Sequence, residues 1–109
     1  MTSPDPRGRS PGQCLNMSEL RSEIDRLDRI PVCLLSERQR YIERAAEIKS
    51  NRIDMRDEAR IEDVIAKVLE EARRTGLSAD IAEAVWRPPV ERSIAHEFNV
   101  FDAQRQRSR

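Results

Sequence analysis

Leu20, Ile24, Leu27, Leu34, Tyr41, Ala45 and Ile48 recur at spacings of three, four and seven residues, the period of one face of an α-helix. Between Met17 and Ser50 the chain has no glycine and a single proline, Pro31. About 30 residues in one helix make a rod of roughly 45 Å. The whole chain is 109 residues, room for one domain at most. Its remaining helical segments are too short to cover such a rod from within one subunit. With hydrophobic residues at 38% and charged residues at 37%, a compact monomer has little to bury and needs outside help. An all-α subunit that associates is therefore predicted, and a homodimer is the commonest solution.

Other sources of stability are poorly represented. Cys14 and Cys33 do not make a disulfide framework, and Cys33 lies in an apolar helical run where a free thiol behaves as a small hydrophobe. A single histidine argues against a His/Cys metal site. Lys+Arg 20 against Asp+Glu 20 leaves a formal net charge of zero, so bulk attraction to nucleic acid or membrane is not expected. No run approaches the ~18 apolar residues that span a bilayer, and the N-terminus lacks the apolar core of a secretory signal. The expected location is the cytoplasm.

Residues 1–16 hold three prolines and two of the three glycines and read as a disordered leader, with Met17 available as an alternative start. Ser18 is the expected N-cap of the long helix, and Pro31 is expected to kink it. Asn51 to Asp57 reads as an irregular loop. Asp57 then caps a second helix carrying Ile61, Val64, Ile65, Val68, Leu69 and Ala72, which Gly76 ends, with Arg73 and Arg74 in its last turn. Ser78 caps a third helix through Ile81, Ala82, Val85 and Trp86. Pro88-Pro89 is expected to break it before Val90, Ile94, Phe98 and Phe101 resume helical spacing. The fold expected is three helices, long, medium and long, over a domain of residues 17–104, followed by a basic tail, 105–109.

Two cations sit close to the apolar stripe. Arg38 and Lys49 are eleven residues apart, about 20° from a common helical face and about 16 Å apart along the axis. Two long side chains leaning together suit a small dianion. Arg21 is rotated about 100° from Arg38 and set roughly 25 Å along the rod, so it cannot serve the same pocket within one chain. In an antiparallel dimer it would enter the partner's pocket, making the sites composite.

Leu20-Arg21-Ser22-Glu23-Ile24-Asp25-Arg26-Leu27-Asp28 resembles the opening L-R-x-x-I-D-x-I/L-D signature of the all-helical, AroQ-class (type II) chorismate mutases. Leu34-Leu35-Ser36-Glu37-Arg38 resembles that family's L-L-x-x-R, and Lys49 falls on its helix-ending lysine. Asp57-Glu58-Ala59-Arg60 resembles the D/P-x-x-R that opens the second helix, and Ser93 and Glu97 fall on a polar pair late in the third. The resemblance runs from about residue 17 to 103. It implies an intertwined homodimer with two sites and a small dianionic substrate. It also implies a place in chorismate metabolism, in the shikimate pathway towards aromatic amino acids. The reaction, chorismate to prephenate, is pericyclic; the resemblance implies no cofactor and no metal. By the same resemblance Arg38 and Arg21 of the partner subunit hold carboxylates, guanidinium forks being suited to that. Lys49 reaches a carboxylate and the ether oxygen, while Arg60, Asp57 and Ser93 line or close the site. Isochorismate pyruvate lyases and mutases of amino-deoxychorismate share the fold and motifs. A helical dimerisation module without catalysis would explain the stripe but not the spacing of the four cations.

Three residues depart from the usual pattern. Glu97 replaces the common glutamine, so its carboxyl must be protonated to donate to the ether oxygen, and activity is expected to rise toward acidic pH. Ile61 stands where mutases carry a glutamate for the ring hydroxyl, which is closer to the lyase branch; Asp57 is closer to the mutases. Pro88-Pro89 precedes Ser93 and Glu97, and a broken helix there would displace both.

Overall fold

The computed structural model describes residues 8–107. The expected leader therefore lies partly outside the described residues, at 1–7, as does the end of the expected tail, at 108–109. Three helices carry the fold: α1 (Met17–Ile48), α2 (Glu58–Thr75) and α3 (Ala79–Arg107), with 3-10 turns at Pro11–Gln13 and Arg52–Met55. No strand occurs among the described residues. The chain divides into two units, Met1–Arg38 and Gln39–Arg109.

The first unit holds the Pro11–Gln13 turn and the N-terminal part of α1. The helix begins two residues earlier than the sequence suggests, at Met17, because Asn16 is its cap rather than Ser18. The Asn16 side-chain oxygen accepts from the Glu19 N–H at 2.9 Å, and its carbonyl accepts from Leu20 at 3.1 Å. An asparagine satisfies the otherwise unpaired N–H groups of a first turn as well as a serine does. Pro31 lies inside α1, which continues through it. Along this part of the helix Ile24, Leu27, Val32, Leu34 and Leu35 are all exposed, Leu34 at 59% and Val32 at 66%. More than a third of each of these side chains remains open to solvent.

The second unit holds the end of α1, the Arg52–Met55 turn, α2 and α3. Asp57 caps α2 as expected, its carboxylate accepting from the Arg60 N–H at 3.1 Å. Gly76, at φ 83°, closes α2. The Leu77 N–H reaches back to the Ala72 carbonyl at 2.9 Å, the long bond of a Schellman turn, which needs a residue in the left-handed region. Arg73 and Arg74 stand in the last turn, paired with Glu70 and Glu71 one turn before. Ser78 then opens α3, its carbonyl accepting from Ala82 at 3.0 Å.

Two small apolar clusters form the core. Ile61 and Ile65 of α2 meet Val90 of α3, with Val64, Leu69, Trp86 and Ile94 around them. Ala46 of α1 meets Met55 and Phe101, flanked by Phe98 and Val100. Met55 corrects the expectation of an irregular loop at Asn51–Asp57: it is 2% exposed. A flexible thioether fills the gap between a small alanine and a phenyl ring well. Ile81 and Val85, expected on the packed face of α3, are half exposed instead.

The expected break at Pro88-Pro89 does not occur, since α3 is continuous from Ala79 to Arg107. Each proline removes one ladder N–H, freeing the carbonyls of Ala84 and Val85 four residues earlier. Both of those residues are exposed, so water can take over the acceptors. Trp86 before the prolines and Val90 and Ile94 after them pack into one cluster with α2. Tertiary packing on both sides thus holds the backbone helical where local preference disfavours it.

Candidate active site

Lys49 is the first residue past α1, and its backbone N–H still donates to the Ala45 carbonyl at 2.9 Å. The helical ladder therefore fixes where its side chain starts. Glu97 lies on α3 and is 4% exposed. A carboxylate so deeply buried needs a hydrogen-bonded partner of opposite charge, and the Lys49 ammonium supplies one at 2.8 Å. The Lys49 side chain keeps 33% of its exposure, so the cation is shared between the acid and solvent. Ser93 is half-buried, one turn before Glu97 on the same helix.

The segment after Lys49 is tied to α3 by contacts the sequence reading missed. Arg52 donates to the Asp102 carboxylate at 3.1 Å and lies over the Phe98 ring at 4.6 Å. Arg105 donates to the Ser50 carbonyl and covers the Phe101 ring at 4.7 Å. His96 Nε2 is 2.7 Å from Glu43 Oε2, and this hydrogen bond above all holds the Glu43 carboxyl below its ordinary range. Apart from Arg105 over Phe101, one helical turn away, these pairs join residues about 50 positions apart, so no local spacing signals them. The single histidine beside Glu97 was the one available hint.

The N-terminus of α2 is organised differently from the expectation. Asp57 serves the backbone as a cap. Arg60 turns along its own helix to Asp63 at 2.9 Å, where Lys67 also pairs. Lys67 is the first cause, and Arg60 a lesser one, of an Asp63 carboxyl held below its usual range. The structure therefore does not bring Arg60 to Lys49 and Glu97. Arg56 forks onto Glu91 at 2.8 and 3.1 Å and also donates to Glu58 at 2.6 Å. Ile61, at 7% exposure, points into the α2–α3 core.

Arg21 and Arg38 belong to the first unit. Arg21 is exposed in a shallow groove that Ser18, Ser22, Asp25 and Arg29 also line. Arg38 is half-buried. Of the expected residues, then, Lys49 and Glu97 are in contact and Ser93 stands one turn from them. Asp57 is a helix cap, and Arg60 is engaged elsewhere. No group of three or more His, Cys, Asp or Glu among the described residues could hold a metal ion. No described helix is long and apolar enough to cross a membrane.

No curated protein matches the chain in sequence. The sequence profile of a known family does match, over residues 20–98, a span from the first leucine of the α1 stripe to just past Glu97 on α3. On that match the chain belongs to the chorismate mutase type II family.

Proposed function

We propose that the protein is a cytoplasmic chorismate mutase that rearranges chorismate to prephenate in an intertwined homodimer. The observation that carries this reading is the Lys49–Glu97 pair, a cation and a buried acid at 2.8 Å within the span matched by the family. The reaction breaks an ether C–O bond and forms a C–C bond within one molecule, so it needs no nucleophile and no second substrate. What it needs is a compact conformer with its charges compensated and donors at the ether oxygen, where negative charge grows. Lys49 provides one donor, and Glu97 provides the other once protonated. Arg38 and Arg21 of the partner subunit bind the two carboxylates, with Asp57, Arg60 and Ser93 closing the site. Arg60 must leave Asp63 to do so. That exchange is cheap, because an exposed ion pair contributes little to stability. The exposed apolar side chains of α1 are the surface that a second copy would cover. The catalytic domain on this reading is residues 17–104, between a leader and a short basic tail.

One observation favours a second reaction. Ile61 is buried in the α2–α3 core, which leaves its position without a polar group for the ring hydroxyl of chorismate. An isochorismate pyruvate lyase, or a mutase of another chorismate derivative, would have no need of one.

Incubation with chorismate, and separately with isochorismate, at pH 5 and pH 7.5 distinguishes these. Prephenate from chorismate, abolished by Arg38→Ala, is the expected result. Salicylate and pyruvate from isochorismate would transfer the assignment to the lyase. Turnover of neither would leave a helical dimerisation module.

A further inference from the structure

The segment before α1 is built against that helix through contacts on one flank. The turn itself is closed by Gln13 N–H to the Ser10 carbonyl at 3.0 Å and Cys14 N–H to the Pro11 carbonyl at 3.2 Å. The Gln13 side chain accepts from the Ser10 N–H at 2.9 Å. From this turn three links reach α1. The Leu15 N–H donates to Glu19 Oε1 at 2.8 Å, and the Arg9 guanidinium pairs with Glu19 at 3.7 Å. The Arg9 backbone N–H donates to the Glu23 carboxylate.

Glu23 is in turn held by Arg26 at 2.8 Å, and both side chains are more than four-fifths covered. Gly8 lies directly on this pair. A Cβ at Gly8 would stand 2.0 Å from Arg26 Nη2 and 2.6 Å from Glu23 Oε2, far inside contact distance. A side chain at position 8 would push the far ends of Arg26 and Glu23 aside, a shift those flexible side chains can make. Glu19, Glu23 and Arg26 share one face of α1 at helical spacing, and Arg21 points from the opposite side. The segment grips the helix without covering Arg21.

We propose that residues 8–15 are a clasp that keeps the first turns of α1 wound, so that Arg21 is a positioned cation rather than one on a fraying helix end. The part played by Arg21 rests on the function proposed above; the clasp itself does not. The first turns of a helix are the least protected, because nothing N-terminal to them completes the ladder. Three extra links to Glu19 and Glu23 span the turn that holds Arg21. A chain started at Met17 would have none of them.

The test uses the full chain with Glu19→Ala, which removes the acceptor for Leu15 and the partner of Arg9. Glu19→Gln keeps the acceptor and serves as the conservative rescue. Amide hydrogen exchange at Arg21–Ile24 should be about fivefold faster in Glu19→Ala, the equivalent of a lost cap of about 1 kcal/mol. It should be largely restored in Glu19→Gln and unchanged in α2. In Glu19→Ala KM for chorismate should rise by about the same factor with kcat retained, because an unplaced carboxylate anchor weakens binding without altering the reacting centre. Unchanged exchange in Glu19→Ala overturns the clasp. Faster exchange with an unchanged KM overturns the positioning of Arg21. A wild-type chain that turns over neither chorismate nor isochorismate refutes the function instead, and exchange alone then decides the clasp.

Discussion

Glu97→Gln tests the chemistry of the buried pair most directly, because it keeps the size of the side chain and exchanges a titratable donor for a permanent one. In the free protein the carboxylate accepts from Lys49 at 2.8 Å, and an amide oxygen can accept the same bond. The charge is lost, but Lys49 keeps a third of its exposure and so part of its hydration. The cost to folding is therefore about 1–2 kcal/mol rather than the larger penalty of a fully buried orphan charge. Catalysis responds differently. On the proposed function the group at position 97 donates to the ether oxygen; a carboxylate only accepts, whereas an amide always carries a donor. Initial rates of chorismate loss should therefore be at least as fast for Glu97→Gln as for the native chain, and about a hundredfold slower for Glu97→Leu, which offers no donor. A Glu97→Gln variant as slow as Glu97→Leu would refute the reasoning.

The prolines of α3 give a second prediction. Pro88→Ala and Pro89→Ala each restore a ladder bond in a helix that is already continuous, and each should stabilise the chain by about 2 kcal/mol in thermal unfolding; a lower midpoint would show that the native backbone is fitted to the rings. The Glu43–His96 pair gives a third. Because Glu43 titrates below its ordinary range, its contribution is complete above that range and is lost as pH falls through the lowered value. The difference in urea midpoint between the native chain and Glu43→Gln should shrink from about pH 6 to about pH 3; a difference that grows on acidification would reverse the assigned sign.

Local signals carried much of the fold. The apolar period from Leu20 to Ile48, Asp57 as a cap, and Gly76 with two arginines before it depend on neighbours within a few residues, and the helices stand where those signals put them. Pro88-Pro89 failed as a signal because its effect depends on what the rest of the helix packs against. Local preference opposes the helix there, while the cluster of Trp86, Val90 and Ile94 with α2 favours it. Met55 was hidden for a related reason: nothing in a polar stretch announces that one thioether will meet Ala46 and Phe101. The site was legible only as motif positions. Spacing on one helix placed Arg38 and Lys49 near a common face, but Glu97 reaches Lys49 from 48 residues away. That Arg60 would turn to Asp63 is a choice between rotamers, which sequence does not fix.

Two of the four cations proposed for the site are paired with acids, Lys49 with Glu97 and Arg60 with Asp63. On the proposed function a dianion has to compete with those acids for both. The two displacements differ in kind. Asp63 is exposed and also held by Lys67, so it loses Arg60 at little cost and keeps its charge in water. Glu97 is 4% exposed and Lys49 is its salt-bridge partner. On the proposed function a substrate carboxylate that takes Lys49 therefore leaves a buried acid without that partner, a larger cost than the loss of Arg60 by Asp63. Glu97→Gln carries no charge to strand, so it should lower KM for chorismate; an unchanged KM would show that the pair stays intact when substrate binds.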